Sequence, residues 1–135
     1  MPELPEVETT VKGLSAILNK KISNVKIHTT KLRFKIPNNI INILRNSTIS
    51  NLRRIAKFII IDLNTDYSLV IHLGMSGRLK TASSTYKKIK HDHFLLHFLC
   101  KKILIYHDPR KFGFIDIVKT KDLEKQKYIM SLGVD

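Results

Sequence analysis

Two loops in the second half of the sequence combine glycine with residue types that are unusual in turns. HLGMSGRL places Met75 between two glycines, and HDPRKFGF places Phe112 beside Arg110 and Lys111. Turns usually carry Asn, Asp or Ser instead of a large apolar side chain. Proteins that open a DNA base step insert Met, Phe or Leu into the stack, with arginine nearby. The loops therefore predict a wedge for nucleic acid; the alternative is that Met75 and Phe112 return to the core.

The amino terminus, MPELPEVETT, gathers three glutamates in a chain that is otherwise strongly basic. Apolar residues recur after it at helical spacing: Val7, Val11, Leu14, Ile17 and Leu18. This spacing predicts an N-terminal helix, in which Pro5 suits the first turn and Glu6 and Glu8 suit the positive end of the helix dipole. Helix capping does not explain Pro2 and Glu3, which precede the helix.

The elements that must position these residues are mostly strands. Six short runs are rich in Ile, Val, Phe and Tyr: SNVKIHTT, KFIIIDL, YSLVIHL, HFLLHFL, KILIYH and FIDIVK. The breaks between them are too short for the crossover helices that parallel strands need. We predict an α+β fold, an antiparallel β-sandwich or flattened barrel of about eight strands, with the N-terminal helix and a second helix near the C-terminus in DLEKQKYIMSL. NIINILRN predicts a short helix between strands.

Composition sets the broad class of the protein. The chain has 135 residues, with 24 Lys+Arg against 11 Asp+Glu and a formal net charge of +13. This length suits one domain, and a chain so basic most often meets nucleic acid or an anionic membrane. The alternatives are a solvated lysine face that reflects genome composition, and a ribosomal or RNA-binding β-protein. We expect no membrane association, because no signal peptide and no apolar stretch of ~20 residues is visible.

The cysteine and histidine residues predict no metal site. Cys100 is alone, so it can form neither an internal disulfide nor a four-cysteine zinc site, and its apolar run FLLHFLC predicts a buried, inert thiol. On a strand, His91 and His93 would share a face, with His97 continuing the alternation. A third cluster of ligands is not visible in the sequence. We expect Asp92 to orient a neighbouring group by a hydrogen bond.

Five segments occur in the order and approximate spacing of one family: PELPEVET, RRIAKFIII, IHLGMSG, KHDH and DPRKFG. From Pro2 to Gly133 the chain resembles bacterial formamidopyrimidine-DNA glycosylases, and the two glycine loops resemble this branch more than the related endonuclease VIII. The resemblance implies base-excision repair by a bifunctional DNA glycosylase and AP lyase. Its substrates would be oxidised purines, such as 8-oxoguanine and formamidopyrimidines, in damaged double-stranded DNA.

The resemblance implies catalytic roles for residues at and near the amino terminus. After removal of Met1, the secondary amine of Pro2 would attack C1′ of the damaged nucleotide and form an iminium. Glu3 would act as general acid and base, Glu6 as a supporting carboxylate, and Lys57 would grip phosphate at the lesion. An amine is nucleophilic only when it is neutral. An α-amino group has a pKa of about 7.7–8.0, so part of it is neutral at physiological pH, whereas a lysine has a pKa of about 10.4 and is almost fully protonated.

The resemblance also implies a DNA-binding set: His72, Met75, His91, Arg110, Lys111 and Phe112. Met75 and Arg110 would fill the gap left by the flipped nucleotide, with Arg110 facing the orphaned cytosine. Phe112 would be the wedge on the opposite strand, and His72 and His91 would contact the backbone.

Family members continue past this region with a helix–two-turn–helix domain and a zinc finger. We therefore expect residues 1–135 to be the N-terminal catalytic domain alone, with no cofactor because the family's zinc site lies in the absent part. The expected partners are damaged DNA and a C-terminal half supplied separately, in a bacterial cytoplasm near the nucleoid. From this domain alone we expect weak DNA affinity and weak or latent activity. The alternatives are a non-catalytic DNA-binding remnant and one half of a split glycosylase.

Overall fold

The computed structural model describes residues 4–132, so Pro2 and Glu3 lie outside the described residues. The elements are, in chain order, α1 (Leu4–Gly13), a 3₁₀ turn (Ser15–Ile17), β1 (Ile22–Ile27), α2 (Ile40–Leu44), β2 (Ile49–Ile55), β3 (Phe58–Leu63), β4 (Tyr67–His72), β5 (Arg78–Ser83), β6 (Asp92–Phe98), β7 (Lys102–His107), β8 (Phe114–Lys119), a second 3₁₀ segment (Thr120–Lys125) and α3 (Lys127–Met130). Within the described part of the chain, the helices lack the length and apolar character of a membrane span.

The strands form two antiparallel sheets of four, in the orders β1-β6-β7-β5 and β2-β3-β4-β8. With the helices at either end of the chain, this arrangement confirms the predicted α+β sandwich. The six apolar runs correspond to β1, β3, β4, β6, β7 and β8. The other two strands, β2 (ISNLRRI) and β5 (RLKTAS), have no apolar run, and nearly all of their side chains are exposed or half-buried.

The long apolar runs arise because each sheet is covered on both faces. The inner faces share one core, which includes Ile59, Ile71 and Phe94. A second cluster lies outside the β2-β3-β4-β8 sheet, where Leu123 and Ile129 from the C-terminal segments pack on it. A third cluster covers the outside of the other sheet. Strands buried on both faces lose the alternation of apolar and polar residues that marks a half-buried strand.

The predicted C-terminal helix is shorter than the pattern DLEKQKYIMSL indicates. Gln126 has an extended backbone, with φ −68° and ψ 138°, and it divides the segment into the 3₁₀ turns and the four-residue α3. The division lets Leu123 and Ile129 both reach the outer face of the sheet. At the other end of the chain, α1 is tied to β2 by an ion pair in which Nε of Arg54 lies 2.5 Å from Glu8.

Two local predictions are wrong. Cys100 is exposed, because it lies in the β6–β7 turn, beyond the last buried residue of β6, Phe98. His91 does not share a strand face with His93, because it precedes β6 and has a left-handed backbone, with φ of 73°. The prediction of a short helix in NIINILRN is confirmed by α2.

Candidate nucleic-acid interface and active site

A buried carboxylate joins the two glycine loops. Asp108 is fully buried and accepts hydrogen bonds from the hydroxyls of Ser76 and Tyr106, both at 2.6 Å. It also accepts bonds from the backbone N–H groups of Lys111 and Gly113, both at 3.1 Å. We call residues 73–77 and 108–113 the joined loops, because this carboxylate bonds to both.

The charge of Asp108 is stabilised by these donors. Burial by itself would raise the pKa of the carboxyl, but the hydrogen bonds from Ser76, Tyr106 and the two backbone N–H groups outweigh it, so the pKa lies below its usual value. The carboxylate therefore stays charged and accepting at neutral pH. Both loops lose an anchor if that charge is removed.

Glycine is required where the joined loops touch. Gly74 has a φ of 62°, and a Cβ at this position would lie 2.5 Å from the backbone N of Gly113. Gly113 in turn leaves no room for a side chain, because one would meet the Tyr106 hydroxyl and the carbonyl oxygen of His72. The loops therefore meet backbone to backbone, and neither can shift far without the other.

Four predicted DNA-binding residues lie exposed on this surface: Met75, Arg110, Lys111 and Phe112. Met75 is 51% exposed and Phe112 is 45% exposed, so the alternative that they return to the core is wrong. The guanidinium of exposed Arg110 lies 4.6 Å from the centre of the Phe112 ring, and its backbone N–H donates to Ser76 Oγ at 3.2 Å. The structure thus brings Met75, Arg110 and Phe112 together on a fixed backbone.

A third segment, residues 29–36, borders the joined loops. The exposed Lys111 has a left-handed backbone, with φ of 56°, and its Nζ lies 3.5 Å from the Thr29 hydroxyl. The backbone N–H of Arg33 donates to the carbonyl of Gly113 at 3.0 Å. Phe34, which is 53% exposed, follows directly. The sequence offered no signal for this segment beyond a positive charge beside an aromatic residue.

Lys57 and His72 line one cavity. Lys57 lies in the two-residue turn between β2 and β3, and His72 ends β4. The cavity has a volume of about 530 Å³, and its lining includes Leu4, Arg33, Lys57, Phe58, His72, Phe114 and Tyr128. Two cationic side chains, Arg33 and Lys57, thus share a concave surface with His72, an arrangement that suits an anion.

His72 is held in its neutral form. The backbone N–H of Gly74 donates to its Nδ1 at 3.0 Å, so that atom carries no proton and the ring proton lies on Nε2. Burial, together with the charges of Arg33 and Lys57, lowers its pKa. The ring is stacked on Phe114, with centroids 5.6 Å apart. Protonation of Nδ1 would break the hydrogen bond to the first of the joined loops.

We expect His72→Asn to reduce the loss of stability at acid pH. A histidine whose pKa is lowered by folding contributes stability that is present above about pH 6.5 and falls as the pH drops below that value. Asn keeps an acceptor for Gly74 but does not titrate. When the pH falls from 7.5 to 5, the free energy of unfolding, measured by urea titration, should decrease less in the variant than in the parent. The difference should be up to about 1 kcal/mol. The exposed His28→Asn is the control, and an unchanged pH slope for His72→Asn would contradict this role.

His91 lies beside a second buried carboxylate. Its ring centroid is 6.0 Å from those of His93 and His107. Asp92 accepts a hydrogen bond from Nδ1 of His107 at 2.8 Å and one from the Tyr86 hydroxyl at 2.6 Å, which confirms its predicted orienting role. Among residues 4–132, the His, Cys, Asp and Glu side chains form no group that could hold a metal ion.

Glu6 and Met75 line a common groove. The groove has a volume of about 770 Å³ and also includes Pro5, Ser76, Arg78 and Lys80. Glu6 is exposed in the first turn of α1. The structure therefore brings one predicted catalytic carboxylate to the same depression as the joined loops.

The central residue of the site, Asp108, was not among the predicted functional residues. A signal was present, since an Asp between the apolar run KILIYH and Pro-Arg is typical of a turn. Sequence could not show that this Asp is buried or that Ser76 and Tyr106 bond to it.

Comparison with known proteins gives a consistent result. Residues 1–115 match the family model described as formamidopyrimidine-DNA glycosylase N-terminal domain. The formamidopyrimidine-DNA glycosylase of Rickettsia massiliae is 42% identical over 136 aligned residues, which cover 100% of this chain and 48% of the relative. That of Zymomonas mobilis is 46% identical over 134 residues, covering 98% and 49%. The chain thus spans about half the length of these relatives.

Solved structures agree with the sequence comparison. Lactococcus lactis Fpg in complex with DNA containing an abasic site superposes with a TM-score of 0.86 at 30% identity, over 96% of this chain and 48% of that one. The same protein with DNA containing Fapy-dG gives the same values. With residues 1–115 covered by its model and both sheets matched by its structures, the chain belongs to the formamidopyrimidine-DNA glycosylase family and corresponds to its N-terminal domain.

Proposed function

We propose that this chain is the DNA-engaging and nucleophile-bearing part of a glycosylase and AP lyase that acts on oxidised purines in double-stranded DNA. The observation that carries the proposal is the exposure of Met75, Arg110 and Phe112 on loops joined through buried Asp108. The Lactococcus relative was solved with DNA containing Fapy-dG, which supports this class of substrate.

The joined loops are suited to replace a nucleotide in the stack. Flipping a nucleotide costs a few kcal/mol of stacking and pairing, so the groups that enter the gap must return a comparable free energy. Arg110 already stacks on Phe112, so little side-chain entropy remains to be lost on insertion. Met75 adds an adaptable apolar group next to them.

The cavity beside the loops would take a phosphate of the damaged strand. Arg33 and Lys57 supply positive charge there. Neutral His72 holds Gly74 through its Nδ1, which would keep the first joined loop in place while the phosphate is bound. Each phosphate neutralised in this way releases counterions and makes binding more sensitive to salt.

The proposed chemistry uses the amine of Pro2 once Met1 has been removed. The neutral nitrogen attacks C1′, a nitrogen–carbon bond forms, and the bond from C1′ to the damaged base breaks. The nitrogen then loses its proton, the sugar ring opens, and an iminium joins protein and sugar. Glu3 moves protons in these steps, and eliminations on either side of the sugar cut the strand. Carboxylates beside the amine would favour its protonated form, and a positive charge such as that of Lys57 would oppose them.

The test is cleavage of a duplex that carries one formamidopyrimidine nucleotide, compared with the same duplex undamaged. We expect cleavage of the damaged strand only, and a ten- to a hundredfold loss with Arg110→Ala, since hydrogen bonds to a charged group contribute about 1.5–3 kcal/mol. Exposed Arg45→Ala, which removes the same charge outside the site, should match the parent. Equal cleavage by the two variants would contradict the assignment of Arg110, and DNA binding without any cleavage would favour the non-catalytic DNA-binding remnant.

A further inference from the structure

We call residues 84–91, which join β5 to β6 and have the sequence STYKKIKH, the lysine loop. Its three lysines, Lys87, Lys88 and Lys90, are exposed. Across residues 4–132, no carboxylate lies within ion-pairing distance of their ammonium groups. The loop therefore carries three charges that the described part of the chain does not neutralise.

The lysine loop runs back along the outside of a sheet. Strand β5 begins at Arg78, opposite His107, and ends at Ser83, opposite Lys102. Strand β6 begins at Asp92, which is again opposite His107. The loop must therefore return over the length of β5, which at about 3.3 Å per residue is about 20 Å.

Packing and hydrogen bonds fix the loop on that face. Its residue Tyr86 packs on the outer cluster of the sheet, formed by Leu95, Ile103 and Ile105. Buried Asp92 accepts bonds from the Tyr86 hydroxyl at 2.6 Å and from the backbone N–H of Ile89 at 3.0 Å. The Nζ of Lys80 lies 4.9 Å from the centre of the Tyr86 ring. A loop anchored in this way presents its charges with less ordering cost than a flexible tail.

The loop is continuous with the candidate DNA interface. Its last residue, His91, accepts a hydrogen bond from the backbone N–H of Asp108 at 3.1 Å. On β5, Arg78 and Lys80 line the groove that contains Met75. Positive charge therefore extends without a break from the joined loops, along the edge strand, to the lysine loop.

We propose that the lysine loop binds the phosphate backbone of the duplex outside the lesion, as an anchor that does not depend on damage. The proposal rests on the proposed function only in that the duplex enters at the joined loops. The three lysines lie one to four residues from His91, so at about 3.3 Å per residue they reach up to about 13 Å from the joined loops, roughly four base pairs at 3.4 Å each, and the anchor would act on one arm of the duplex.

The test is fluorescence anisotropy with an undamaged duplex of about 24 base pairs between about 50 and 200 mM salt, the range over which phosphate contacts dominate. The variant is Lys87→Gln, Lys88→Gln and Lys90→Gln combined. We expect the slope of log affinity against log salt to fall by about 2–3, and affinity at the lowest salt to fall tenfold or more, because each lost phosphate contact removes about 0.9 from the slope.

The control removes the same charge at the far ends of the strands. The three residues are the exposed Lys21, Lys119 and Lys121. Lys21 precedes Ile22, which pairs with Phe98 at the end of β6, and Lys119 pairs with Tyr67 at the start of β4. These are the strand ends away from the joined loops. The combined change of the three lysines to Gln should leave the slope at the parent value.

Equal salt slopes for the two triple variants on the long duplex would overturn the proposal. Circular dichroism melting of each variant establishes that both are folded. A protein that cleaves damaged DNA while its two triple variants bind alike rejects this inference and leaves the proposed function standing. If the protein shows the difference in salt slope but never cleaves damaged DNA, this inference stands and the proposed function is rejected.

Discussion

Asp108→Asn is expected to lower the free energy of unfolding by about 2–4 kcal/mol at pH 7. Asn has one acceptor oxygen where the carboxylate has two, and its NH₂ would face the backbone N–H of Lys111 or Gly113, neither of which can accept. The buried site would then hold an unsatisfied donor. Urea titration at pH 7 measures the change.

The matched control is Asp66→Asn, which makes the same charge change at an exposed site. Asp66 has a φ of 67°, a conformation that Asn tolerates, so this variant should stay within about 0.5 kcal/mol of the parent. A carboxyl whose pKa is lowered by folding contributes stability above its unfolded pKa of about 3.9 and loses it as pH falls through the folded value. The cost of Asp108→Asn should therefore shrink below about pH 4, and an equal cost for both variants would contradict the role of Asp108 as anchor.

The fold was largely predictable because most strands carry a local signal. Continuous apolar runs such as KFIIIDL and KILIYH mark strands buried on both faces, and short breaks between runs exclude parallel pairing. Strands β2 and β5 carry no such signal, since nearly all of their side chains are exposed or half-buried. The division of the C-terminal helix at Gln126 depends on how Leu123 and Ile129 reach the sheet, which the helical pattern does not contain.

The exposed residues of the site could be predicted from the sequence, whereas the residues that hold the joined loops together could not. Met75 and Phe112 were visible because large apolar residues are out of place in glycine loops. Asp108, Ser76 and Tyr106 are ordinary residue types in their local context. Tyr106 bonds to Asp108 from two residues away, but the bond from Ser76, which joins the two loops, spans 32 residues. The same limit explains Arg33, which lies far from the motifs in sequence and next to Gly113 in the structure.

The chain that begins at Pro2 is expected to form a covalent adduct with abasic-site DNA when the iminium is reduced by borohydride, and the chain that retains Met1 is expected to form none. With Met1 in place, the nitrogen of Pro2 is an amide and cannot attack C1′. Pro2→Gly should lower the yield without abolishing it, because a primary amine of similar pKa remains. Pro37→Gly, a proline outside the candidate site, serves as control. An adduct of equal yield with Met1 retained would contradict the amine mechanism.

The most direct measurement is mass spectrometry of the borohydride-trapped product after proteolysis, using protein whose intact mass shows that Met1 is absent. We expect the sugar remnant on the amino-terminal peptide, attached to the nitrogen of Pro2. Protein that begins with Pro2 and leaves abasic duplex unmodified at high concentration, or that carries the remnant on a lysine, would contradict this expectation.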